Sequence, residues 1–515
     1  MADVHTANLC AQIVHSHFGP LTAVSRSTFT YLDTCSSVHL YNAIQKVALT
    51  LLTRGRLSLL QLTRFTALKT RSVRAAVLIL IQQNLLWHAQ SDDDGEVVEF
   101  NTDECLLRLR FGRYIWLAEQ LFGSAAAEIV SLILDHGKLR PPDILSKLLS
   151  TNTKELREAK EKAEARLRRE REEDMKIGLK KRKAHDHSGQ RPSKRKAIEE
   201  DVVDDEVYFR IHASKFNVHI RNKLIEDAVR DRYNESAAIV MRAILKASEA
   251  KATMSDVRSD GVSTANIAGH ISEDEDITSG LVYTSSKEGS TMTALKEYLG
   301  ILAAADNPTP AGRAASFVSF SGLSSGKVHV ELEIVCRRLR RRVLEAVARE
   351  RYGDEAVRII RLLLANGKMG GDQIAKVAMM AATAVRPLLT SLSADSLVSL
   401  QEVPKGADRN PQRTIYLWYV DLRKAYSVLI GNLYKTLFNI GMRRRAEEED
   451  TTVKAVREKS ERTDVCEDSS LLSRTEREVL RQWEERRDKL TVLETRVEEA
   501  VFILRDLAVP GVEDD

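Results

Sequence analysis

The side chains with the capacity for chemistry here are mostly charged, and the chemistry they offer is binding. The densest cationic run is Arg337, Arg338, Arg340, Arg341 and Arg342. It lies on a segment whose apolar residues Leu332, Val335, Leu339, Val343 and Val347 fall at helical spacing. The arginines then cover the remaining face, where they can meet phosphate or an acidic protein surface, or stay solvated. Lys69, Arg71 and Arg74, and separately Arg386, stand near the starts of two further helical segments, where cations can meet a nucleic-acid backbone. Lys69, Arg71, Arg74, Arg337, Arg338, Arg341 and Arg386 are therefore the candidate DNA-binding residues. The helix that carries Arg71 and Arg74 is otherwise dominated by apolar residues (Val73, Val77, Leu78, Ile79, Ile81), without the repeated Arg, Asn or Gln of a base-reading helix.

Catalytic patterns are missing. The chain has no GxxxxGK(S/T), HExxH or GxSxG and no Gly-rich loop between strand and helix. His15 and His17 are two apart, which puts them on different faces of a helix and makes them poor partners for one metal. Asp92–Asp94 and Glu199–Glu206 are rich in carboxylates, yet they fall in an expected turn and an expected disordered stretch. Acid–base catalysis needs held geometry, so no catalytic residue, metal, cofactor or small-molecule substrate is expected.

The elements that must position the charges recur along the chain. Val98 to Ile144 and Val328 to Ile374 each open on a short β-like run and pass through an arginine-studded amphipathic segment. Each then reaches an aromatic–Gly pair (Phe122-Gly123, Tyr352-Gly353) and a leucine-rich helix ending in Gly-Lys. The two copies keep the same spacing, and a looser third starts at Val207. Arg54-Gly55, within Leu51 to Leu62, repeats the helix–Gly–helix step, the opening of a helix-turn-helix. Third helices are predicted at Thr70–Gln83 and Thr383–Leu392. Hairpins follow: Leu85–His88 with Val97–Phe100 around Asp92–Gly95, Ala315–Phe320 with Val328–Glu333, and Leu397–Val403 with Thr414–Val420. Three helices and a wing make a winged helix. The predicted fold class is mainly α with small β wings (α+β): four tandem winged-helix domains, then a C-terminal helical hairpin or coiled coil.

The expected boundaries are 1–100 for the first winged helix and 101–230 for the second, with a charged, disordered insertion at about 151–205. The third spans 231–333, with a flexible stretch at about 272–290, the fourth 334–421, and the helical hairpin 422–515. The opening helix, Ala7–His17, is assigned to the first domain. The net charge of +4 leaves polyanion binding to local patches. Cys10, Cys35, Cys105, Cys336 and Cys466 are isolated, which fits a reducing compartment. No apolar run suits a membrane span, so a soluble intracellular protein is expected. Within the insertion, Lys180, Lys181, Arg182 and Lys183, then Lys194, Arg195 and Lys196, form two basic clusters with bipartite nuclear-import spacing. From Leu422 apolar residues recur at three and four up to Ile440, and Arg443–Arg445 with Glu447–Asp450 end the pattern. Ser473 and Glu476 then signal a new helix start. Trp483, Leu490, Val497 and Leu504 lie seven apart, with Leu493 at a second heptad position, so Trp483, Leu490, Leu493, Val497 and Leu504 are the candidate docking face.

Taken in order, Ile13–Gly19, Leu51–Leu59, Phe122–Leu139, Arg351–Met369 and Thr414–Asp421 resemble one family over nearly the whole chain. It is the fungal form of the largest subunit in the heterotrimer specific to RNA polymerase III, related to the alpha chain of TFIIE. No single motif is diagnostic; order and spacing carry the likeness. The insertion at 151–205 and the acidic first wing tip are individual to this sequence. The resemblance implies a noncatalytic nuclear subunit, with no membrane association. It would sit on the clamp of the polymerase's largest subunit, bind two heterotrimer partners and help recruit the enzyme to promoter DNA and open it. A winged-helix scaffold of the ubiquitin-ligase or proteasome-lid kind is the alternative, but such chains place one winged helix after a long solenoid. A free sequence-specific transcription factor is disfavoured by the apolar third helices. A native pull-down from nuclear extract should recover RNA polymerase III subunits in near-equal amounts; ubiquitin-ligase or proteasome components would reverse the choice.

Overall fold

The computed structural model describes residues 3–18, 34–91, 95–151, 206–272, 275, 277–278, 280–281, 291–303, 316–321, 326–404, 414–462, 465 and 471–508. The chain forms two compact units: Phe18–His212, and Met1–His17 with Ala213–Asp515. No single helix among the described residues is long and apolar enough to cross a membrane.

The first unit shows how each winged helix is made. After α1 (Val4–Phe18), α2 (Thr34–Arg54) buries Ala43, Ile44, Val47, Ala48 and Leu51 along one face. It stops at Gly55, whose φ of +80° suits only glycine at low cost. β1 (Leu57–Ser58) follows, and Ser58 caps α3 (Leu59–Thr66) reciprocally with Gln61. α4 (Thr70–Gln82) buries Val73, Ala76, Val77 and Leu80, which explains its apolar content. β2 (Leu86–Ser91) and β3 (Gly95–Phe100) pair antiparallel from Leu86↔Phe100 to Ser91↔Gly95. β1 bonds the other edge of β3, giving the order β1-β3-β2.

The second copy runs through α5 (Thr102–Leu107), a 3-10 turn at Arg108–Arg110, α6 (Phe111–Phe122), α7 (Ser124–His136) and α8 (Pro141–Thr151). Leu139, two residues beyond Gly137, forms an antiparallel bridge with Phe209. Leu57, two beyond Gly55, pairs with Val98 in the same way. The charged insertion with both import clusters lies outside the described residues. The two winged helices of this unit are stapled at the end of α4. Lys138 N donates to Gln82 O at 3.2 Å, Gln83 Nε2 to Asp135 O at 2.9 Å, and Arg108 Nη2 to Gln83 O at 3.1 Å.

In the second unit the third winged helix comprises α9 (Ala213–Arg232), α10 (Glu235–Ser248), β4 (Val262–Ser263), α11 (Thr264–Gly269), α12 (Thr291–Ala303), β5 (Val318–Ser321) and β6 (Lys327–Val330). The fourth comprises α13 (Leu332–Tyr352), α14 (Asp354–Asn366), β7 (Met369–Gly370), α15 (Gly371–Ala378), α16 (Ala382–Ala394), β8 (Ser399–Pro404) and β9 (Thr414–Tyr419). Their sheets repeat the first order, β4-β6-β5 and β7-β9-β8. Each has a two-residue opening strand that alternation could not reveal, because two residues carry no period. α17 (Leu422–Glu449), α18 (Thr451–Ser460) and α19 (Arg474–Val501) complete the unit, the last continuing into a π-helical turn at Phe502–Asp506.

Several boundaries differ from those expected. α1 packs with the second unit, not the first winged helix: a Cβ on Gly441 of α17 would lie 2.2 Å from the Gln12 side chain. Burial there holds the His15 imidazole below its ordinary pKa, with Arg445 adding to the effect. α9 is the first helix of the third winged helix, so a boundary at 230 cuts it. Its charge hid its core role: Glu226 is buried but meets Arg230 at 2.9 Å, Arg242 at 3.0 Å and Lys223 at 3.2 Å. The described part of 272–290 is packed, with Ile277 buried and Glu275 2.8 Å from Arg242. Arg443–Glu449 continues α17 instead of ending the pattern, because Glu447 pairs with Arg443 at 2.6 Å and with Arg486 of α19 at 2.7 Å. The C-terminal helices do form a hairpin, α17 against α19 with Arg486 meeting Glu447, but its base is continuous with the fourth winged helix: Leu422, Tyr426 and Leu429 of α17, and Leu504, lie in one core with Leu344, Ile360, Leu363 and Leu389.

The glycine turns give a stability test. Gly137 (φ +82°) sits so close to α4 that a Cβ would lie 2.3 Å from Gln82 O, whereas Gly367 (φ +74°) faces open space. Gly367→Ala should cost about 1–3 kcal/mol of backbone strain. Gly137→Ala should cost more, because main chain must also move; equal shifts in thermal denaturation would refute the packing argument.

Candidate nucleic-acid interface

The first winged helix holds an open cationic group. Ala67 in the left-handed region (φ 53°) turns the chain between α3 and α4 and leaves Lys69 at the N-cap of α4. No side chain caps this helix start and no acidic residue occupies its first turn. Lys69, Arg71 and Arg74 are all exposed, and among the described residues none forms an ion pair or side-chain hydrogen bond. Arg71 and Arg74, three apart, share a face. Cations beside an uncapped helix N-terminus favour an anion twice over, through charge and through free N–H groups. Next along that face is Leu78, 67% exposed, and Trp87 on β2 is 66% exposed. Neither reads a base edge by hydrogen bonding. The arrangement suits backbone contact by its charged end and apolar contact farther along.

The other candidates are placed differently. Arg386 is exposed near the start of α16 and lies 3.4 Å from Asp372. The arginines of α13 mostly serve internal packing. Arg337 pairs with Glu333 at 2.6 Å, and Arg342 with Asp231 of α9 at 2.8 Å. Arg338 lies 5.1 Å from the centre of the Phe317 ring, which Arg232 also approaches at 5.4 Å. Burial pushes the Arg338 guanidinium below its ordinary pKa, and Arg232 adds to this. Arg340 is buried over the Tyr426 ring at 4.3 Å. Arg337 is thus paired along its own helix, Arg338 fills a joint with Phe317, and Arg341 lines a groove with Arg340. Sequence spacing located the arginines on α13 but could not reveal Phe317, Tyr426, Arg232 or Asp231 opposite them.

The docking face divides as well. Trp483 is 9% exposed, with Arg457 and Arg487 over its ring at 5.9 and 5.1 Å. Leu504 is 1% exposed in the core shared with the fourth winged helix. Leu490 and Val497 are half-buried, and only Leu493 is open, at 45%. Most of the heptad face is therefore spent within the chain. Exposed apolar side chains also stand in the first unit on α6 and α7: Trp116, Leu121, Phe122 and Ile129. Its signal in sequence was the aromatic–Gly pair, which marked a turn and not a surface. Both import clusters lie outside the described residues, and among those residues no group of three or more His, Cys, Asp or Glu could hold a metal ion. Cys336 is buried, which pushes its thiol up to about 11 and makes it a packing residue.

Comparison with known proteins follows the repeats. Residues 35–90 match the family model described as the RNA polymerase III subunit RPC82 helix-turn-helix domain. Residues 144–309 match that of RNA polymerase III subunit RPC82, and residues 344–420 that of the POLR3C C-terminal winged-helix domain. The chain is 25% identical to DNA-directed RNA polymerase III subunit RPC3 of Bos taurus, over 96% of this chain and 97% of that protein. The Homo sapiens protein of the same name gives the same figures. The subunit from Ajellomyces capsulatus is 33% identical over 41% of this chain and 31% of its own length.

Burial separates the docking residues experimentally. Leu504→Asp should destabilise the second unit by more than about 3 kcal/mol, because it buries a charge without a partner. Leu493→Asp should stay within about 0.5 kcal/mol of the parent. Equal melting temperatures for the two variants would contradict the packing of the π-helical turn.

Proposed function

Because the chain belongs to the RPC82/RPC3 family of RNA polymerase III subunits, we propose that its first winged helix lies against promoter DNA while its other surfaces hold polymerase subunits. The protein is a noncatalytic subunit with winged-helix domains, and its partners are other subunits of that polymerase. The two other members of the polymerase-specific heterotrimer and the clamp of the largest subunit are the partners proposed here, with the nucleus as the compartment. Recruitment to promoters and help in opening DNA are the roles assigned to it.

One observation carries the DNA reading: Lys69, Arg71 and Arg74 stand exposed at the uncapped start of α4 without ion-pair partners among the described residues. Arg337 and Arg338, by contrast, are committed to Glu333 and Phe317. The contact is with phosphate, so it positions the duplex without selecting a sequence. Trp116 and Phe122 on α6 supply an apolar surface of the kind that subunits bury against each other.

The test is Arg71→Glu with Arg74→Glu in the assembled polymerase, titrated against promoter duplex across a salt series. Loss of two phosphate contacts should lower affinity about tenfold or more and reduce the salt slope by about 2. Unchanged affinity and slope would remove α4 from the DNA path.

A further inference from the structure

Two arginines of α13, Arg340 and Arg341, border a feature outside the DNA reading. Between α13, α14, β9, α17 and the π-helical turn lies a groove of about 820 Å³, wholly within the second unit. Arg340, Arg341, Lys368, Arg423 and Arg505 line it, opposed by a single lining carboxylate, Asp421. That carboxylate already accepts a hydrogen bond from Lys424 N at 3.0 Å, capping α17. Arg341 Nε is closed off from solvent and makes no hydrogen bond among the described residues. Arg341 as a whole is half-buried and its side chain forms part of the groove wall.

The walls indicate what kind of anion fits. Leu364, Leu422, Ile430 and Leu504 are aliphatic. Single-stranded nucleic acid would want open aromatic faces on which bases stack. Here the Tyr426 ring is covered by Arg340 at 4.3 Å, and Lys368 lies over Tyr419 at 5.2 Å. What remains is an aliphatic trough rimmed by guanidinium and ammonium groups. We propose that this groove binds an extended acidic peptide segment of another polymerase subunit, its carboxylates on Arg341, Lys368 and Arg423 and its aliphatic side chains against Leu364 and Ile430. Charge-assisted pairing with arginine supplies specificity, and the aliphatic floor adds area. The inference rests on the proposed partnership with other subunits and adds the chemistry and place of one contact.

Ser427 lines the groove and is exposed. A photo-crosslinking p-benzoylphenylalanine in place of Ser427 or, separately, Ala508 is introduced into the full chain, and the assembled polymerase is purified and irradiated. Mass spectrometry should identify a crosslinked segment rich in Asp and Glu from another subunit. Arg341→Glu with Lys368→Glu should reduce that product at least tenfold while the chain still co-purifies. Crosslinks to nucleic acid, to residues 509–515 of the same chain, or to nothing at both positions would overturn the proposal. A chain that fails to co-purify before irradiation would overturn the partnership as well, so the two failures are told apart by the step at which they occur.

Discussion

In each three-stranded sheet among the described residues the strand that comes last in sequence lies in the middle. β3, β6 and β9 each bond a two-residue strand on one side and a hairpin partner on the other. Their pairing closes the winged helix, since it ties the turn after the second helix to the wing. The same strands lead within a few residues into the next helix: Phe100 into α5, Val330 into α13, Tyr419 into α17. A central strand has no free edge to slip along, so its register sets where the following helix begins. The repeat seen in sequence, a β-like run followed by arginines and an aromatic–Gly pair, is this joint: the end of one winged helix and the start of the next.

Charge does two kinds of work along this frame. On α4 it stays in solvent. On α9 and α13 it is drawn into the joints, where Glu226 gathers Arg230, Arg242 and Lys223, and Arg338 and Arg340 lie over Phe317 and Tyr426. Buried ions of this sort stabilise only when fully partnered, and they make a joint specific because a mismatched neighbour would strand a charge. Between α18 and α19 the same logic holds at the surface: Lys459 meets Glu476 at 2.8 Å and pulls that carboxyl down to about 2, with the Ser473 cap assisting. This interaction is present above the ordinary carboxylate range and is lost only as pH falls through about 2.

Much of the architecture was legible in the chain. Gly55, Gly137 and Gly367 marked the turns because their positive φ is costly for other residues. The wing strands were legible because six-residue runs carry alternation: β9 falls within the run read for it, and β8 overlaps its run and ends one residue beyond, at Pro404. Winged-helix content and the likeness to polymerase III subunits both followed from the order of these signals. The two-residue strands β1, β4 and β7 were not legible, nor was α9 as a core helix, since its buried face includes Asn217, Arg221 and Glu226.

Sequence by itself determined the local elements, the number of times they recur and the absence of recognisable catalytic motifs, because propensity, turn chemistry and period act over a few residues. Only the tertiary structure decided what each surface residue faces. It sent Arg71 and Arg74 to solvent and Arg338 and Arg340 onto aromatic rings. It folded Leu504 into the core of the fourth winged helix and laid α1 against α17, near the other end of the chain. An amphipathic helix states that one face will be covered; the partner that covers it is set by long-range packing, which no local pattern contains.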